Sequence, residues 1–328
     1  MFNFYYTWRW LAWTRPTDAP RPPPAGLERH WVDTPGGRLE ILHARPARPS
    51  KTPPLFFMHG GMGSAWVWAD YMRFCASEGI PCYAISIRGH GDSWHPSYLR
   101  MVYGTSRRML ADDLVAGIRW VQDREDSEVV LVGHSSGGGL GQDVLSQGLV
   151  TVKGLALLGA VPAFGSMGVY MNWARVDPWF LIRMLLHGWH PNSPLSHPML
   201  IKRIFFGEDI GDAQVAEFQA HVNRYEAFWW PITMMTAFAD PRRILRHIQN
   251  DSDRKVLVLT GTEDKLMTAP IMERLGAFYR EAARALWAGK TTDDAAEVSF
   301  VPRAGHHLQN DTTWEIGAKK LVEFYRQL

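Results

Sequence analysis

One stretch constrains the fold of this 328-residue chain more than any other. Val129-Val130-Leu131-Val132 runs into Gly133-His134-Ser135-Ser136-Gly137, and Gly138 and Gly139 follow where a helix would begin. The four apolar residues, bounded by Glu128 and Gly133, read as a short strand buried on both faces. A serine between two glycines, spaced G-x-S-x-G on a strand-to-helix turn, is the nucleophile-elbow pattern. Such a turn is strained and brings strand and helix backbones almost into contact, so a Cβ at 133 or 137 would clash. The strain sets a hydroxyl at the carboxyl end of a sheet, beside a helix N-terminus whose free N–H groups favour an oxyanion. Five residues alone make a weak motif; the surrounding chain gives it force.

Strand-like runs alternate with amphipathic helices around this turn. Leu39 to His43, Leu55 to Met58, Ile80 to Ile87 and Gly154 to Leu158 read as strands, as do Lys255 to Thr260 and Val298 to Val301. Helices are expected over Trp66 to Ser77, Ser106 to Arg124, Leu140 to Gln147, Ala269 to Leu286 and Thr312 to Gln327; in the second, Leu110, Leu114, Ile118 and Val121 share one face. This alternation predicts an α/β fold with a doubly wound, mostly parallel sheet. The rhythm stops at Pro162. Residues 163–250, with Trp173, Trp179, Trp189, Trp229 and Trp230, show no strand pattern and read as a helical cap insertion. The expected organisation is an aromatic and Pro-rich segment at 1–30, a core of 31–162 and 251–328, and the cap between.

Composition excludes several classes of function. With 46% apolar and 21% charged residues and a net charge of +2, the chain is an ordinary globular one with no basic stripe for nucleic acid. Cys75 and Cys82 read as buried thiols rather than a disulfide, which fits a cytoplasmic location. No G-x-G-x-x-G or Walker loop follows a strand, so no cofactor is expected. His187, His190 and His197 lack a metal-ligand spacing, and no metal is expected. Phe2, Phe4, Tyr5, Tyr6, Trp8, Trp10 and Trp13 crowd the start of the chain, interrupted by Arg9 and too short to span a bilayer. Two readings stay open for them: packing over the domain or cap, or contact with a membrane surface. Oligomeric state is not legible.

A serine hydroxyl needs a base to take its proton and a carboxylate to hold that base. A parallel sheet gathers such partners at its strand carboxyl ends. Gly261-Thr262-Glu263-Asp264 follows the strand at 255–260, and Ala304-Gly305-His306-His307 follows the last strand. The order Ser135, Asp264, His306 is that of Ser, acid, His. Glu263 and Asp240 are rival acids, and His307 is a rival base.

From about residue 36 onward the chain resembles the α/β-hydrolase superfamily, in its capped members with a serine nucleophile. The resemblance implies Ser135 as nucleophile, Asp264 as acid and His306 as base. His59-Gly60-Gly61 is similar to the family's His-Gly segment after the third strand, which implies that the backbone N–H groups of Gly61 and Ser136 form the oxyanion hole. Arg88-Gly89-His90-Gly91-Asp92-Ser93 resembles the turn after the fourth strand, with His90 and Asp92 bracing it; His59 would order the oxyanion loop and His134 pack beside the elbow. Serine at the elbow implies acyl chemistry: an ester, thioester or lactone, and the aromatic cap favours a bulky hydrophobic small molecule as partner. The Trp-rich cap is also similar to hydrolases of microbial, particularly fungal, secondary-metabolite pathways. Two alternatives stay open: the same triad used for acyl transfer, C–C cleavage or condensation, and a non-catalytic ligand-binding fold.

Overall fold

The computed structural model describes residues 3–48, 51–287 and 293–328. Eight strands form one sheet: β1 (Glu28–Thr34), β2 (Gly37–Ala44), β3 (Leu55–Met58), β4 (Cys82–Ser86), β5 (Val130–His134), β6 (Gly154–Leu158), β7 (Val256–Gly261) and β8 (Ala296–Val301). Their spatial order is β1-β2-β4-β3-β5-β6-β7-β8. β1 and β2 run antiparallel and β2 joins β4 antiparallel; every pair from β4 to β8 is parallel. The predicted doubly wound, mostly parallel sheet is therefore the observed one. β3, β4, β5, β6 and β7 are buried at every residue, as continuous Val, Ile and Leu runs require when helices cover both faces.

The helices are α1 (Ala69–Ser77), α2 (Tyr98–Val102), α3 (Arg107–Glu125), α4 (Ser135–Ser146), α5 (Met167–Val176), α6 (Phe180–Leu186), α7 (Pro198–Phe205), α8 (Asp212–His221), α9 (Trp229–Ile232), α10 (Pro241–Arg246), α11 (Ala269–Leu286) and α12 (Trp314–Tyr325). α1 packs with α12, while α3, α4, α10 and α11 pack in series, giving the two helical layers. Ser106 caps α3 by accepting from the Met109 N–H, and its buried face carries Leu110, Leu114, Ile118 and Val121.

Three expectations need correction. β1 was not foreseen, and a boundary at residue 30 cuts through it. Its sequence, Glu28-Arg29-His30-Trp31-Val32-Asp33-Thr34, is polar because this is an edge strand with only Val32 fully buried; pairing with β2 through a tight turn at Pro35-Gly36 makes it a strand. α2 was also missed. α4 begins at Ser135 rather than Leu140, because Gly137, Gly138, Gly139 and Gly141 hide its helical character. Between β6 and β7 the chain forms α5 to α10 and one 3-10 turn, Ser193–Leu195, and among the described residues its one β pairing is a bridge from Ile248 to Val152.

The N-terminal aromatics lie against this insertion. Phe4 meets Trp179 edge-on, Tyr5 stacks on His197, Tyr6 stacks on His187, and Trp13 meets His190. Phe2 lies outside the described residues. Cys75 and Cys82 are both buried and free. Among the described residues, no helix is long and apolar enough to cross a membrane.

Candidate active site

β5 delivers the chain into α4 through Ser135, whose φ is +50°. A Cβ on Gly137 would sit 2.0 Å from the His59 carbonyl oxygen, and one on Gly133 would sit 2.5 Å from Gly138 Cα. Glycine at these positions is thus a steric requirement of the close strand–helix approach. The strained turn sets the Ser135 hydroxyl at the sheet's carboxyl edge, and the loops after β7 and β8 bring the other two groups to it.

The His306 ring bridges Ser135 and Asp264. Its Nε2 lies 3.0 Å from Ser135 Oγ, and its Nδ1 lies 2.9 Å from Asp264 Oδ2. Nδ1–H donating to the carboxylate leaves the Nε2 lone pair free to accept the serine proton. Asp264 is fully enclosed. Burial alone would raise its carboxyl, but His306 and the N–H groups of Met267 and Leu266, both donating to Oδ1 at 2.8 Å, hold it below the usual carboxylate range. The rival residues stand elsewhere. Glu263 accepts from the Glu208 N–H, Asp240 caps α10, and His307 pairs with Asn310 among Phe205, Phe206 and Phe218.

The loop after β3 faces this group. His59 donates from Nδ1 to the Gly60 carbonyl at 2.7 Å, while its Nε2 accepts from the Ile87 N–H at 3.4 Å. Burial keeps this ring neutral, holding its pKa well below the ordinary value, which suits one donor and one acceptor. The Gly61 N–H donates to the Ser136 hydroxyl at 2.7 Å. Ser136 lies in the first turn of α4, where backbone N–H groups have no helical partner. A carbonyl oxygen binding between these two N–H groups would displace the Ser136 hydroxyl. His134 packs beside the elbow and donates from Nε2 to the His306 carbonyl at 3.0 Å; burial first, then the neighbouring His306, lowers its pKa to about 3.

One site residue left no mark in the sequence. Glu226, in the insertion just before α9, is buried, and its Oε2 accepts from the Met62 N–H at 2.7 Å and from His90 Nε2 at 2.8 Å. Burial would lower the His90 pKa, but Glu226 outweighs it and the net direction is upward, toward an imidazolium that neutralises the carboxylate. Glu226 thereby ties the insertion to the loop after β3 and to the turn after β4. Arg88 anchors that turn with two side-chain hydrogen bonds to Asp113, at 2.7 and 2.6 Å. A lone Glu between Tyr225 and Ala227 matches no motif, and only folding reveals its partners.

A cavity of about 300 Å³ opens over Ser135 and His306. The insertion supplies most of its wall, including Val169, Trp173, Phe180, Met184, Phe205 and Trp230. Among the described residues, the titratable side chains on the lining are Tyr170, Glu226 and His306, and no Lys or Arg lines it. The arrangement can therefore take an apolar molecule and present a hydroxyl, an imidazole and two backbone donors to it.

Fold and site together define a hydrolase of the α/β type. A family model described as the alpha/beta hydrolase family matches residues 55–314, and the chain belongs to that family. Protein phosphatase methylesterase 1 of Gibberella zeae is 24% identical over 311 residues, covering 88% of this chain and 69% of that protein. The probable protein phosphatase methylesterase 1 of Caenorhabditis elegans is 25% identical over 273 residues, covering 79% of this chain and 65% of that protein. Among solved structures, a thermophilic esterase from Thermogutta terrifontis aligns with a TM-score of 0.62 at 18% identity, over 91% of this chain and 98% of its own. An esterase from Exiguobacterium antarcticum aligns with a TM-score of 0.63 at 17% identity, over 90% and 98%. At these identities the structural likeness speaks for the fold alone.

Proposed function

We propose that this protein is a serine esterase acting on a bulky hydrophobic ester, thioester or lactone through an acyl-enzyme. Ser135 is the nucleophile, His306 the general base and Asp264 the group that fixes its tautomer. The observation that carries the reading is the unbroken line from Ser135 Oγ through His306 to Asp264, at 3.0 and 2.9 Å. As Ser135 Oγ bonds to the substrate carbonyl carbon, its proton passes to His306 Nε2. The carbonyl oxygen becomes an oxyanion, received by the N–H groups of Gly61 and Ser136. His306 returns the proton to the departing alcohol or thiol as the tetrahedral centre collapses. Water then repeats the sequence on the acyl-enzyme, losing its proton to His306 and releasing the acid and Ser135.

The insertion acts as the cap that selects the substrate. Its apolar wall supports a hydrophobic acyl or alcohol group. The methylesterase relatives favour a second reading, hydrolysis of a protein carboxyl methyl ester. A protein substrate would have to bring a peptide segment into a cavity of about 300 Å³ walled mainly by apolar side chains, so the small-molecule ester is preferred. A panel of chromogenic esters and thioesters of graded acyl length, run beside the Ser135→Ala variant, tests the proposal. Turnover should rise with apolar acyl size and vanish in the variant. Equal rates across all acyl lengths would remove the bulky-pocket argument.

A further inference from the structure

We propose that the surface around the cavity mouth docks onto an anionic lipid bilayer, from which the hydrophobic substrate enters; this rests on the esterase reading above. The face is built by α6 and the N-terminal aromatic segment. α6 reads Phe-Leu-Ile-Arg-Met-Leu-Leu, and although Arg183 and Met184 are buried, Leu181 and Leu185 are 63% and 61% exposed and Ile182 and Leu186 about half so. A helix apolar on both its inner and outer faces has more greasy surface than its own packing uses. Trp179 and Trp189 flank it, also exposed.

The N-terminal segment extends this face. Phe4, Tyr6, Trp8 and Trp13 are each substantially exposed while their rings rest against Trp179, His187 and His190. The Tyr6 hydroxyl donates to the Leu186 carbonyl at 3.4 Å, and His190 Nε2 donates to the Ala12 carbonyl at 2.9 Å. The two segments therefore present one joined apolar surface, of a kind that soluble monomers seldom leave open.

Three features point to lipid. Leucine and isoleucine at the centre with Trp and Tyr around them is the arrangement of side chains that enter the headgroup–acyl boundary. The exposed charges of residues 3–13 and 163–190, the stretches that carry this face, are both cationic: Arg9 and Arg175. The single acid there, Asp177, is buried in an ion pair with Arg183. This balance complements an anionic membrane surface. Finally, Leu181 and Trp189 belong both to the exposed face and to the cavity lining, so the mouth opens where the bilayer would sit. A second copy packed on this face by two-fold symmetry would bring cationic surfaces together and close the mouth.

Flotation of the full chain with vesicles tests the proposal, using phosphatidylcholine alone and phosphatidylcholine with one-third phosphatidylserine. The protein should float with the mixed vesicles, at least about tenfold more weakly with the neutral ones, and less in high salt. Ile182→Glu with Leu185→Glu, neither of which lines the cavity, should weaken binding about tenfold or more while hydrolysis of a short water-soluble ester stays unchanged. Arg9→Glu with Arg175→Glu should remove the preference for anionic vesicles. Ser135→Ala should bind vesicles like the parent, which separates docking from chemistry: vesicle binding without any esterase activity sinks the esterase reading alone. Docking is overturned if the parent floats with neither vesicle, or if both paired variants bind as well as the parent. It is equally overturned if the chain is a dimer in solution that Ile182→Glu with Leu185→Glu splits, with no vesicle binding.

Discussion

Along β3, β5 and β7 every side chain is enclosed, whereas α6 in the insertion holds Met184 inside and leaves Leu181, Ile182, Leu185 and Leu186 open to solvent. Both regions are rich in apolar residues, yet they use them differently. In the sheet, burial fixes where each strand ends, and the strand ends fix where Ser135, Asp264 and His306 meet. In the insertion, apolar side chains form a wall on one side and an uncovered face on the other, and Glu226 fastens that assembly to the core. On the proposed reading, reactivity belongs to the sheet, while access and selection belong to the insertion.

Substitutions in the two regions should fail in different ways. The largest effect is expected at the sheet edge: Ser135→Ala or His306→Ala should lower ester turnover by about 10⁶-fold, with no loss of the unfolding midpoint, in a steady-state assay beside thermal denaturation. Next comes Gly137→Ala, where a new methyl group would press on the His59 carbonyl at 2.0 Å and the backbone cannot yield. Chemical denaturation should show a loss of about 3 kcal/mol, and activity should fall with stability. A variant as stable as the parent would mean that the elbow is looser than its geometry implies.

A smaller effect is expected at the tie between the regions. Glu226→Gln should lower turnover roughly tenfold by loosening the loop that carries Gly61 and Met62. It should also change the pH dependence of stability. The folded His90 pKa is raised above its unfolded value near 6.5, so the stability it lends is complete below about pH 6.5 and fades as pH climbs through the folded value. Glu226→Gln should therefore cost about 2 kcal/mol at pH 6 and less at pH 9. An equal loss at both values would show that Glu226 acts only as a neutral spacer.

Much of the sheet is legible in the sequence because buried parallel strands are short unbroken runs such as Val129 to Val132. The carboxyl-end loops after them limit where reactive groups can stand. That rule puts the acid and the base in the loops holding Glu263-Asp264 and His306-His307, and the structure brings Asp264 and His306 to Ser135. β1 escaped because an edge strand has no need of an apolar run, and its Arg29 pairs across with Glu40 of β2 instead. Glu226 escaped because its importance comes from Met62 and His90, which lie far off in sequence. The Ser136 hydroxyl escaped for a related reason: that position enters the elbow pattern only through its backbone N–H, while its side chain meets Gly61 across the fold. The exposed side of α6 was hidden in plain composition, since an apolar residue does not declare whether it faces the core or solvent.

The most direct test of the central claim is covalent. Intact protein treated with a fluorophosphonate should gain one adduct, and peptide mass spectrometry should place it on Ser135. Ser135→Ala should gain none, and His306→Ala should label far more slowly. A folded parent protein that stays unlabelled, or that carries the adduct on another serine, would contradict the account.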